Sequence, residues 1–248
     1  MKTKGKRKRS AFPKVIATLM ILIVIGLVIW LGYIIYQGIE TVTAEADKIA
    51  ALNMTEDTVE EKTYSTGEFA VVEKTMKSYM LQYSETLKEA TTLLADNTFS
   101  DMLLADNIQA DGPAFSNSRT YIEDKRKRCE QLFAEIEERM TEDRILQALT
   151  DAGIGDSFTD KLYAKLYRHL MLDIVKPSCM YSLTSCNNVK QEMLNQLDEK
   201  VKMLDFLSMN QEYWKLEDGK LIFENAELTQ QYNTLTQETT GGGTQKQG

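Results

Sequence analysis

The stretch GEFAVVEKTMKSYMLQYSETLKEATTLLA, residues 67–95, decides the fold. Phe69, Val72, Met76, Tyr79, Met80, Tyr83, Leu87, Ala90 and Leu94 recur at the i, i+3, i+4, i+7 spacing of one face of a long amphipathic helix. Further helices follow. One is predicted over 118–141, with Ile122, Cys129, Leu132, Phe133, Ile136 and Met140 on one side. Another, over 142–152, has Thr141 as N-cap and Gly153 past its end. Ser157 and Asp160 form a capping-box pattern opening a fourth helix through Leu162, Leu166, Leu170 and Ile174, which Pro177 helps to end. Asn188 and Gln191 open a fifth, carrying Val189, Met193, Leu197, Val201 and Leu204. Stripes of this length are expected to bury against one another in an antiparallel bundle.

Upstream, VIATLMILIVIGLVIWLGYIIY, residues 15–36, contains no charge. At 1.5 Å per residue it makes about 33 Å of helix, close to the roughly 30 Å hydrocarbon core of a bilayer. Trp30, Tyr33 and Tyr36 gather at its C-terminal end, where an interfacial aromatic belt lies. Seven basic residues and no acid occupy positions 1–37. The positive-inside rule then predicts a cytoplasmic N-terminus and an extracytoplasmic C-terminal domain. A cleaved signal peptide is the rival reading, with Val42-Thr43-Ala44 as the small-residue site. The apolar run exceeds the ~7–15 residues of a signal h-region, which favours an uncleaved anchor.

The expected organisation is therefore a basic cytoplasmic tail (1–14), a transmembrane signal anchor (15–37), an acidic, Thr-rich stalk (38–67), a helical ectodomain (68–237) and a disordered Gly-rich tail (238–248). Near the end of the ectodomain, WKLEDGKLIF reads as a β-hairpin, residues 213–223, with Asp218-Gly219 as a type I′ turn. Glu217 then faces Lys220, Leu216 faces Leu221 and Trp214 faces Phe223, and the apolar face must pack on the helices. A short helix from Ala226 to about Thr236 follows.

Chemistry is sparse. Beyond Gln37 the remaining 22 basic residues oppose all 37 acidic ones, a balance of −15 that argues against nucleic acid as a partner of the body. The Lys125-Arg126-Lys127-Arg128 run is flanked by Glu123, Asp124 and Glu130 and reads as a solvated charged helix face. TTLLADNTFSDMLLADNIQADGPAF, residues 91–115, repeats LLADN and spaces Asp96, Asp101, Asp106 and Asp111 by five. That spacing scatters carboxylates on either a helix or a strand, and Ser118 stands where an EF-hand needs a bidentate Glu, so no metal site is expected. The repeat reads as helix punctuation, with each asparagine at a helix end. His169, one turn before Asp173, is the only histidine and has no companion ligands. Gly153-Ile154-Gly155 lies between helices and is a loop, not a nucleotide fingerprint. No catalytic residue, cofactor or metal ligand is assigned. Cys179 and Cys186 are either bridged or small buried residues, and Cys129 is expected in the core.

The segments FAVVEKTMKSYMLQYSETLKE (69–89), ADGPAFSNSRTYIEDKRK (110–127) and YWKLEDGKLIFENAEL (213–228) together resemble the single-pass membrane proteins of Gram-positive bacteria that have helical extracytoplasmic domains. The resemblance implies an envelope location and carries no activity. The functional expectation is a non-enzymatic adaptor or assembly factor that binds a protein through its helical surface. A sensor or small-ligand-binding ectodomain is the alternative, and a carboxylate-based cell-wall hydrolase a third. Oligomeric state is left open.

Overall fold

In the computed structural model, residues 12–96, 98–155 and 157–241 are described. The first eleven residues of the basic tail, Asn97, Asp156, and residues 242–248 of the Gly-rich tail lie outside them. The chain is mainly helical. Helix α1, Phe12–Ala50, carries it from the apolar stretch into the core without a break. Its apolar part is long enough to cross a membrane, with a mean hydropathy of 2.7 and no buried residue in that window. Further along the same helix, Val42, Ala46 and Ile49 are buried.

That burial corrects the expected stalk. Residues 38–50 form a core helix, and the return segment 51–67 adds Met54 and Val59 to the same cluster. The acidic, Thr-rich composition of 38–67 masks an inward stripe: Val42, Glu45, Ala46 and Ile49 are buried at i, i+3, i+4, i+7 spacing, and one of the four is a carboxylate that Lys77 neutralises.

Helix α2, Glu68–Ala95, is the central element. Phe69, Val72, Met76, Tyr79, Met80, Tyr83, Leu87, Ala90 and Leu94 are all buried, which matches the predicted stripe. It runs parallel to α1: a Cβ on Gly38 would fall on the Phe69 ring, and Glu45 pairs with Lys77. The bundle is thus antiparallel only in part, because the extended return segment 51–67 lets the chain restart α2 beside the middle of α1. A 3₁₀ turn (Thr98–Leu103) and a short helix α3 (Ala105–Asp111) lead into α4, Ser116–Arg139. Helix α4 lies antiparallel to α2, with Arg128 on Glu89 and the Tyr79 hydroxyl donating to the carbonyl of Arg139.

Helix α5, Glu142–Asp151, and helix α6, Phe158–His169, agree with the predicted third and fourth helices, and the capping box of Ser157 and Asp160 is formed. Pro177 does not end the run. A π-helical turn, Leu170–Val175, joins α6 to α7, Lys176–Met209, and Pro177 sits in the first turn of α7. The wider turn, in which Lys176 donates to the carbonyl of Met171, opens the backbone just ahead of the ring that would otherwise clash with a preceding carbonyl. Asn188 and Gln191 consequently lie inside α7 and cap nothing. Helix α7 is antiparallel to α4, with Arg126 on Asp198 and Arg119 on Asp205.

Strands β1 (Trp214–Glu217) and β2 (Lys220–Phe223) pair in the predicted register, Trp214 with Phe223 through Glu217 with Lys220. Asp218 and Gly219 have φ of 49° and 70°, as a type I′ turn requires. The Trp214 indole N–H donates to the carbonyl of Leu207, 2.7 Å away. Phe223 packs with Phe206 and Tyr232, the last on α8, Ala226–Gly241. The hairpin is thereby fixed to the end of α7.

Candidate functional site

The four aspartates of the LLADN stretch separate into roles that spacing alone does not show. Asp96, beyond the end of α2, accepts from the Thr98 side chain, the Tyr121 hydroxyl and Lys125. These bonds, that of Thr98 foremost, hold its carboxyl well below the usual range. Asp111 accepts the backbone N–H groups of Asn117 and Ser118, at 3.0 and 2.8 Å. It thereby stands in for the missing side-chain cap of α4, whose N-cap position is Phe115. The second LLADN closes the 3₁₀ turn at Leu103, but its asparagine does not mark a helix end as expected. Leu104 precedes α3, and Asn107 lies within it, bonding the Met102 carbonyl and the Ser118 hydroxyl. Both outer aspartates latch the start of α4, and among the described residues no cluster of three or more His, Cys, Asp or Glu could hold a metal.

The basic run on α4 is likewise only partly solvated. Lys125 is buried against Asp96 and lies over the Phe99 and Tyr121 rings. Arg126 and Arg128 rivet α4 to α7 and α2. His169 pairs with Asp173 at 2.8 Å on an exposed face. The three cysteines are free and buried. Cys179 and Cys186 lie two turns apart on α7, a rise of about 10.5 Å, beyond the ~7 Å Cα separation a disulfide can span. Burial pushes the Cys179 thiol up to about 12 and raises those of Cys129 and Cys186, so all three stay protonated and unreactive at neutral pH.

The sequence reading missed one cluster altogether. Lys77 is buried between Glu45 of α1, at 2.6 Å, and Glu73 of α2, at 2.9 Å. Glu73 also accepts the backbone N–H groups of Tyr64 and Ser65 and the Ser65 hydroxyl. Burial alone would raise both carboxyls, but the bonds from Lys48 and Lys77 to Glu45, and from Ser65 and Lys77 to Glu73, hold them below the ordinary range. Burial works against the Lys77 ammonium too, yet the two carboxylates keep it above its ordinary value. The cluster joins α1, the return segment and α2, and each carboxylate is committed to a cation.

Two of the concave surfaces lie within the helical core region. A groove of about 910 Å³ runs between α2 and α5, beside Lys74, Ser78, Gln82, Arg139 and Arg144. Its arginines are already neutralised, Arg139 by Glu135 at 2.9 Å and Arg144 by Glu138 at 3.0 Å. A second groove of about 660 Å³ lies where the far ends of α1 and α2 meet α7. Leu94 and Cys186 form its buried floor, and Tyr181 and Val189, 80% and 52% exposed, rise at its edge. Leu52 and Ala51 close it on the α1 side.

Comparison with known proteins adds no assignment: no protein family, no curated protein and no solved structure matches this chain.

Proposed function

We propose that the protein is a membrane-anchored, extracytoplasmic adaptor or assembly factor of the bacterial envelope that docks another protein through the groove between α1, α2 and α7. The observation that carries this reading is the open apolar edge formed by Tyr181 and Val189 over Leu94 and Cys186. An exposed tyrosine and valine over a buried apolar floor offer a protein partner an aromatic and an aliphatic anchor. The uncharged run of α1 and the basic head before it support the anchor and its orientation. Commitment of Glu45 and Glu73 to Lys77, and burial of all three thiols, favour binding over catalysis. The groove beside Lys74 has the volume for a small molecule and motivates the second reading, a ligand-sensing ectodomain. Both of its arginines are already paired, which leaves Lys74 as its uncommitted cation among the described residues, and docking is preferred.

The test is capture of partners from the native envelope by the full-length protein and by a Tyr181→Asp/Val189→Asp variant. The wild type is expected to retain a stoichiometric protein that the variant loses, with thermal melting unchanged because both side chains are largely exposed. Equal retention by the two would place docking elsewhere, and retention of none would remove the adaptor reading.

A further inference from the structure

The junction between the apolar half of α1 and its buried half contains no linker. The apolar run ends at Tyr36. A bilayer adds roughly 5–7 Å of headgroup layer on each side of its hydrocarbon core, or about four or five residues of helix. Contacts with the folded domain begin at the end of the apolar run itself and continue through that stretch. Ile35 packs against the core cluster, and the backbone at Gly38 approaches the Phe69 ring so closely that a Cβ there would lie 2.3 Å from it. Phe69 in turn packs edge-on against Tyr163 of α6, with ring centroids 5.0 Å apart. The first turn of α2 and the first half of α6 are therefore level with the point where α1 leaves the apolar layer.

The domain has no freedom to lift away. Helix α1 is unbroken through this region, Val42, Ala46 and Ile49 are embedded in the core, and Glu45 is held by Lys77. On α6, Leu162 is 46% exposed next to Tyr163, and Lys161 and Lys165 are exposed one turn apart beside it. An apolar side chain flanked by two lysines suits the headgroup zone, where the long lysine stems lie along apolar surface and their ammonium groups reach water or phosphate. Glu68 and Asp160 share this end of the domain and offset the lysine charge, so depth and apolar contact, not attraction to anionic lipid, set the interaction.

We infer that the first half of α6, around Leu162, rests in the headgroup layer of the bilayer that α1 crosses, so that the folded domain sits on the membrane and is not held off it. The inference rests on the anchored reading of α1 proposed above. It places the groove at Tyr181, beside the far end of α1, away from the bilayer.

Nitroxide labels on Leu27→Cys, Lys161→Cys, Leu162→Cys and Tyr181→Cys of the full-length chain, reconstituted into phosphatidylcholine vesicles, test it. The native thiols are 8% exposed or less, which directs labelling to the introduced ones. Collision with oxygen relative to a water-soluble nickel chelate reads depth. The Leu27 label is expected deep in the bilayer, the labels at 161 and 162 at headgroup depth, and the Tyr181 label in water. Labels at 161 and 162 as aqueous as that at 181, with the Leu27 label still deep, would overturn the seated domain and leave the anchor standing. An aqueous Leu27 label would overturn the anchor and the inference together.

Discussion

Lys77 illustrates how little a single residue's local context says about its burden. Glu73 and Lys77 form an i,i+4 pair, the commonest pattern on a solvated helix face, yet both are buried and a third partner comes from α1. Lys77→Met leaves the buried Glu73 without a cation and Glu45 with only the exposed Lys48, and is expected to cost about 3–5 kcal/mol, measured by urea denaturation. The pH dependence has a definite sign. Carboxyls held below their unfolded values contribute stability above the ordinary carboxylate range and lose it as pH falls through the folded values. The Lys77 contribution is present below the ordinary lysine range and is lost only as pH rises through its raised value. Wild-type stability should therefore fall on acidification, whereas the Lys77→Met variant should gain between neutrality and about pH 5, where protonation relieves the Glu73 carboxyl left without a cation. A variant whose acid limb parallels the wild type would contradict this account. Tyr83 presents the opposite case: its hydroxyl is buried and has no hydrogen-bond partner among the described residues. Tyr83→Phe removes an unsatisfied group whose burial costs about 1–3 kcal/mol and is expected to raise the melting temperature.

Among the elements, α1 and α6–α7 depart furthest from a reading by segments. Composition divides α1 into an apolar anchor and an acidic stalk, but helix geometry does not respect that division: the backbone continues to Ala50 and the acidic half turns an apolar edge inward. Gly38 marks a close approach of α1 to α2. A methyl group there meets the buried Phe69 ring, so Gly38→Ala is expected to destabilise by about 1–3 kcal/mol. Gly26→Ala, with nothing within 4 Å, should leave thermal melting of the detergent-solubilised protein unchanged. Equal effects at the two positions would show that the α1–α2 contact is not as close as described. The run through Pro177 carries a related lesson. Proline is a reliable helix signal only when the preceding turn is α-helical, and the π turn at Leu170–Val175 removes that condition.

For the whole molecule, the folded unit begins within α1. Val42, Ala46 and Ile49 belong to the same core as Phe133, Leu170 and Leu204. A fragment starting at residue 38 is expected to melt cooperatively by circular dichroism. One starting at 68, which lacks both the α1 wall and the partner of Lys77, is expected to aggregate or to lose cooperativity. Cooperative folding of the shorter fragment would restore 38–67 to the role of a dispensable stalk. Within the intact chain the apolar span, the core and the groove at Tyr181 are joined by one helix, so force or tilt applied in the apolar half reaches the core directly.

The features legible before folding are those whose causes lie within one or two turns of chain. The stripe of α2 repeats every 3.6 residues, the apolar span is a charge-free run, the Ser157–Asp160 box spans three residues, and the Asp218-Gly219 turn sets the hairpin register. The features that emerged only on folding depend on partners far apart in sequence. Glu45 is buried because Lys77 faces it, Asp96 and Asp111 are ordered by α4, Lys125 is buried on Asp96, and the groove exists because the ends of α1 and α2 meet the side of α7. A carboxylate carries no mark of whether water or a cation will neutralise it. That is settled by which surfaces the apolar stripes bring together, and the stripes specify that they must be covered without naming what covers them.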